Sequence, residues 1–169
     1  AYALTAQKDE LYAGQEVAPE VEDMIATAIA TVANAEPGEL LVKYAEAQEV
    51  IAGSQKQNFL AKYKLTEING VLQLGTAEDV VNFAKVINDG TEKSENTFID
   101  AVLTDDIDLS GVIPAEGWSP IGNWGAVSYG NACYKGHFDG QGYSIKGFNT
   151  VTPVNNFGFF GVISTGAVI

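Results

Sequence analysis

The stretch W-S-P-I-G-N (118–123), followed by G-H-F-D-G-Q-G-Y-S-I-K-G (136–147), decides how the chain is read. Gly136, Gly140, Gly142 and Gly147 recur at short intervals between Phe138, Tyr143, Ile145 and Phe148, the grammar of tight turns alternating with very short buried strands. A second passage of the same kind, F-G-F-F-G-V-I-S-T-G-A-V-I, runs from Phe157 to Ile169. The glycines therefore predict a repeating β layout that the chain enters and does not finish.

Working toward the N-terminus, the period changes. Thr104-Asp105-Asp106 separates short strands over 99–103 and 107–109. Thr76 begins a helix over 76–88 whose apolar face is Val80, Phe83, Ala84 and Ile87. Asn69-Gly70 is a strong hairpin signal, returning into Val71–Leu74 from an alternating strand that covers Phe59 to Leu65. Before that, Pro19 with Glu20, Glu22 and Asp23 starts a helix ending near Asn34. A second helix, from about Pro37, carries Leu40, Tyr44, Ala47 and Ile51 and is expected to stop at Gly53. Residues 1–18 read as an exposed lead-in. The expected domains are a lead-in and helical hairpin (1–53), an α+β unit made of a strand hairpin and the helix (54–98), and a β-solenoid region (99–169).

Composition narrows the function. The chain has 169 residues, 46% of them hydrophobic, enough for a real core. Its 22 acidic side chains against nine basic ones give a net charge of −13, which disfavours nucleic acid and anionic membranes as partners. All the basic residues are lysine, so the bidentate arginine grip on phosphate or carboxylate is missing. One cysteine and one histidine permit neither an internal disulfide nor a Cys₂His₂ metal site, and no cofactor is expected. No apolar run is long enough to span a bilayer, and the first ten residues lack the marks of a secretory signal.

Residues 62–169 resemble bacterial surface proteins of the GLUG-repeat type. The resemblance is carried, in order, by the V-L-Q-L strand, the T-A-E-D start and V-I-N-D-G end of the helix, L-T-D-D-I-D-L-S-G (103–111), W-S-P-I-G-N, G-H-F-D-G-Q-G-Y-S-I-K-G and G-F-F-G (158–161). Phe159 stands where that family usually has Leu. The resemblance implies a right-handed, β-helix-like solenoid flanked by the helix 76–88, on an extracellular or cell-surface adhesin-like protein, with no fixed reaction. It makes the expected function a structural or adhesion module without catalysis, meeting a glycan or another surface protein. Two alternatives stand beside it: a polysaccharide lyase or hydrolase of β-helix type, and a subunit of a surface assembly that pairs through an open β edge from Phe157 to Ile169.

The candidate site residues are few. Asp106, Asp108 and Asp139 are the carboxylates an enzyme would use, and Asp105, Asp106 and Asp108 are the weak calcium candidates. Turn and solvent roles explain them better, since D-x-D alone does not make a calcium loop. His137 stands two residues before Asp139, and Cys133 is near in sequence, but no third orienting group completes a catalytic set. Trp124, Tyr129 and Tyr134, interleaved with small polar residues, are the ligand-binding candidates. Trp118 reads as a core anchor.

Overall fold

The computed structural model describes residues 1–88, 99–114, 117–122, 133–149 and 158–169. The chain divides into two compact units, 1–62 and 63–169.

The first unit is helical: α1 (Tyr2–Leu11), α2 (Pro19–Ala33) and α3 (Leu40–Lys62). Pro19 occupies the first helical turn of α2, where its missing N–H leaves no bond unmade, and Glu20 and Glu22 face the positive helix end. Leu4, Tyr12, Val21, Ile25, Val32, Ala47 and Ile51 form one core drawn from all three helices. The expected two-helix hairpin with an exposed lead-in is thus corrected. Leu4 and Tyr12 are buried, and α1 is part of the core.

The helix α3 also runs through Gly53, where a stop was expected, and absorbs Phe59 to Lys62, which were read as a strand. The reason lies in the turns beyond the glycine. The Tyr12 hydroxyl donates to Ser54 Oγ at 2.7 Å, and the Ser54 hydroxyl donates in turn to the Ile51 carbonyl at 2.6 Å. One turn later Asn58 Oδ1 accepts the Ala18 N–H at 2.7 Å while its Nδ2 donates to the Glu16 carbonyl at 3.1 Å, closing the loop before α2. Glycine inside a helix costs about 1 kcal/mol. Ending α3 there would strand a buried hydroxyl and two loop backbone groups, a larger loss.

The second unit is a helix laid on a small sheet. β1 (Thr66–Ile68) and β2 (Val71–Leu74) pair antiparallel around Asn69 and Gly70, whose φ values of 52° and 86° fit the two left-handed positions of a tight hairpin turn. After β2, Thr76 and Asp79 cap α4 (Ala77–Asn88) reciprocally: Thr76 Oγ1 accepts the Asp79 N–H at 3.2 Å, and Asp79 Oδ2 accepts the Thr76 N–H at 2.9 Å. β3 (Asp100–Leu103) then lies parallel to β2 with Leu72 opposite Ala101 and Leu74 opposite Leu103. Of the remaining strands, β4 is Ile107–Asp108, β5 is Phe138–Asp139 and β6 is Ile145–Lys146. β5 pairs parallel with β3, and β4 with β6.

The right-handed β-helix-like solenoid expected over 99–169 is corrected by this arrangement. The unit is α+β, with a mixed four-stranded sheet ordered β1-β2-β3-β5 and a separate two-stranded sheet, and no solenoid is seen among the described residues. The glycines do make corners, but they cut β5 and β6 to two residues each. The large apolar side chains close on a helix: Phe83 of α4 meets the Tyr134 ring edge-on with centroids 5.8 Å apart, and the Phe138 ring at 6.1 Å. The helix expected to flank a coil is instead half of the core. Asn88 at its end reinforces this, donating to the Pro120 carbonyl at 2.9 Å and accepting the Gly122 N–H at 2.9 Å. Among the described residues no helix is long and apolar enough to cross a membrane.

Two stability outcomes follow. Ser54→Ala, which leaves the Tyr12 hydroxyl buried without a partner, is expected to destabilise the helical unit by about 1–3 kcal/mol in urea titrations, more than Tyr12→Phe. Equal losses would show that the Tyr12–Ser54 bond is not what carries α3 past Gly53. Phe83→Ala removes the ring at the helix–sheet contact and should lower the stability of the second unit by about 3–5 kcal/mol, read by tryptophan fluorescence. Both tryptophans of the chain lie in that unit.

Candidate functional site

The acidic residues singled out in the sequence sit at the turns of the second unit, and each accepts hydrogen bonds from a neighbouring backbone. Asp105 Oδ1 accepts the Asp106 N–H at 2.7 Å. Asp106 Oδ1 reaches across the fold and accepts both the N–H and the hydroxyl of Ser144, at 2.8 and 2.9 Å. This fastens the start of β4 to the start of β6, where Ile107 pairs with Ile145. Asp108 Oδ1 accepts the N–H and hydroxyl of Ser110 at 3.0 and 2.7 Å, and its Oδ2 lies 3.5 Å from Lys146 Nζ. Asp139 Oδ1 accepts the Gln141 N–H at 2.9 Å and so holds Gln141 in a left-handed conformation at φ 46°.

This geometry sets the charge state. The two bonds from Ser144 hold the Asp106 carboxyl below its ordinary value of 3.8, and the bonds from Ser110 do the same for Asp108, with the Lys146 charge a smaller contribution in each case. A general acid needs the opposite shift, so that it still carries its proton near neutrality. The exposed Lys146–Asp108 pair is too solvated to contribute much. Among the described residues no group of three or more His, Cys, Asp or Glu side chains could hold a metal ion. The calcium candidates Asp105, Asp106 and Asp108 each direct an oxygen at a backbone N–H.

The pairing of His137 is not the one suggested by sequence spacing. Asp100 Oδ1 accepts the His137 N–H at 2.7 Å, and Asp100 Oδ2 lies 4.0 Å from Nδ1 of the same residue, so Asp100 rather than Asp139 faces the imidazole. The His137 side chain is largely exposed and that of Asp100 partly so. Cys133, nearby in the chain, is a half-buried free thiol.

Of the three aromatic candidates, Tyr134 is fully buried and cannot stack on a ligand. Its hydroxyl donates to the Ile99 carbonyl at 3.0 Å, and its ring stacks on Phe160 with centroids 5.4 Å apart. Burial, and secondarily the Asp100 charge, push its phenol well above the usual range. Gly136 is needed beside it, since a Cβ there would sit 2.3 Å from the Ile99 carbonyl oxygen and 2.9 Å from the Tyr134 hydroxyl. Trp124 and Tyr129 lie outside the described residues. Trp118 is a buried anchor, stacked on Phe159 at 5.3 Å and donating its indole N–H to the Phe159 carbonyl at 3.2 Å.

Sequence reasoning missed Asp100, Ser110 and Ser144 as the partners that give these groups their roles. Asp108-Leu109-Ser110 could have been found, because an Asp followed two residues later by Ser is a local turn signature. Asp106 and Ser144 stand 38 residues apart, and no local pattern announces that bond.

In comparisons with known proteins, no family model, curated protein or solved structure matches the chain.

The lowered carboxyls make a pH prediction. Their folded-state values lie below the unfolded one, so the stabilisation is complete above the ordinary value of 3.8 and is lost as pH falls through the lower folded value. The fluorescence-detected melting temperature of the second unit should fall as pH is lowered below the ordinary carboxyl value of 3.8. Asp106→Asn, a neutral acceptor of the same shape, should reduce that slope. An unchanged slope in the variant would show that the Ser144 bonds do not favour the ionised form.

Proposed function

We propose that the chain is a non-catalytic presentation or adhesion module of an exported bacterial surface protein, meeting a glycan or another surface protein. The observation that carries this reading is the use made of the acidic set: Asp105, Asp106, Asp108 and Asp139 each fasten a turn through a backbone N–H. Carboxylates so engaged, two of them with lowered values, are poor acids for glycan cleavage and good stiffeners of loops. A net charge of −13 with lysine as the sole basic residue adds to it, since the side chain best suited to gripping uronate carboxylates is missing from the whole sequence.

The surface location belongs to the same proposal and rests on the GLUG-type words in 62–169. Recognition is assigned to residues 124–133, which carry Trp124 and Tyr129, because these aromatics are interleaved with small polar residues in the sequence.

A glycan array run beside a polysaccharide degradation assay tests the proposal. The expected result is binding without turnover. Replacing Trp124 and Tyr129 together by Ala should weaken binding about tenfold or more, as loss of stacked aromatics does. Turnover by the natural sequence that disappears in Asp139→Ala, with the variant still folded, would overturn the non-catalytic reading.

A further inference from the structure

The turn that joins β1 to β2 is made of Asn69 and Gly70, the one Asn-Gly pair in the sequence. Both residues are exposed. The space around Gly70 is open, since a Cβ built there would meet nothing within 4 Å. Other asparagines are held by their side chains. Asn34 donates to the Ala30 carbonyl, Asn58 bonds Glu16 and Ala18, Asn82 accepts from Lys85, and Asn88 bonds Pro120 and Gly122. Among the described residues nothing bonds the Asn69 carboxamide or the Gly70 N–H.

The strand before this turn is lightly held. β1 is three residues long, Thr66 and Ile68 are exposed, and in its sheet it pairs with β2 alone. A short end hairpin of this kind opens at a lower free energy than the sheet interior.

We propose that Asn69 is a site of spontaneous deamidation and backbone isomerisation, at which the hairpin turn reacts with water. In an opening of the turn the Gly70 nitrogen attacks Asn69 Cγ. An N–Cγ bond forms, the Cγ–Nδ2 bond breaks, and Nδ2 leaves as ammonia with the proton from the Gly70 amide. Glycine favours this step because it has no side chain to obstruct the closing ring. The cyclic imide then takes up one water, with no change of oxidation state. Opening at Cγ gives an aspartate, and opening at the main-chain carbonyl gives an isoaspartate, whose backbone runs through the side-chain carbons. Either product places a new carboxylate two residues from Glu67. The isoaspartate also adds one backbone carbon to a two-residue turn, and turn length fixes hairpin register. β2 is retained, because it pairs with β3 as well and buries Leu72 and Leu74. β1 is therefore the strand released.

Incubation of the full chain at mildly alkaline pH, followed by peptide mapping with fragmentation that separates aspartate from isoaspartate, tests this. The expected result is conversion at Asn69, isoaspartate included, while Asn34, Asn58, Asn82 and Asn88 keep their amides. As the converted fraction rises, the β1 amides should lose hydrogen-exchange protection in proportion. The Ala101 amide, which donates from β3 to the His137 carbonyl, should keep its own. Asn69→Gly suits the left-handed position and removes the reacting amide, so β1 should stay protected through the same incubation. Conversion at Asn69 no faster than at the four held asparagines, a converted chain whose β1 stays protected, or equal loss of β1 protection in Asn69→Gly would each overturn the proposal.

Discussion

The second unit depends on the contact of Phe83 with Tyr134 and Phe138. α4 stands between β2 and β3 in the sequence, and those strands lie parallel, so the helix must pack back onto the sheet it interrupts. Phe83 is the side chain that makes this packing specific. It meets Tyr134 edge-on, and Tyr134 is held from its far end by the Ile99 carbonyl just before β3. Three parts of the chain distant in sequence are thereby fixed by one ring and one hydroxyl. Phe138, Phe159 and Phe160 extend the cluster with mutual centroid distances of 5.1 to 5.8 Å, which accounts for how strands of two residues can hold a register.

Strands that short supply few ladder bonds, and the turn carboxylates take up part of that role. Asp106 bonds Ser144, and Asp100 bonds His137, each joining neighbouring parallel strands at their ends. These acidic residues thus serve the fold.

What the sequence made legible was local. Asn69-Gly70 gave the hairpin, and Thr76 with Asp79 gave the start of α4, because each signal and its consequence lie within four residues. Gly53 misled because its stop signal is outweighed by Ser54 and Asn58, whose partners Tyr12 and Glu16 stand 42 residues back. The alternation from Phe59 to Leu65 imitated a strand for the same reason. The glycine grammar of 136–147 located the corners correctly in kind. It could not say that the apolar residues between them close on a helix, since Phe83 belongs to a different stretch of chain. At the candidate site, the turn role of Asp139 was readable and the engagement of Asp106 was not. Tyr134 looked like a surface aromatic because its neighbours are polar or small, while its actual neighbours, Phe83 and Phe160, are remote.

Native-state hydrogen exchange tests the central claim, that α4 and the sheet form one cooperative core. The amides of Tyr134 and Phe138, which donate to the Val162 and Val168 carbonyls, report on the sheet, and those of the last two turns of α4 report on the helix. If the aromatic contact binds them into one unit, both sets exchange with the same opening free energy and the same denaturant dependence. Helix amides that open at a clearly lower free energy while Tyr134 and Phe138 stay protected would contradict it.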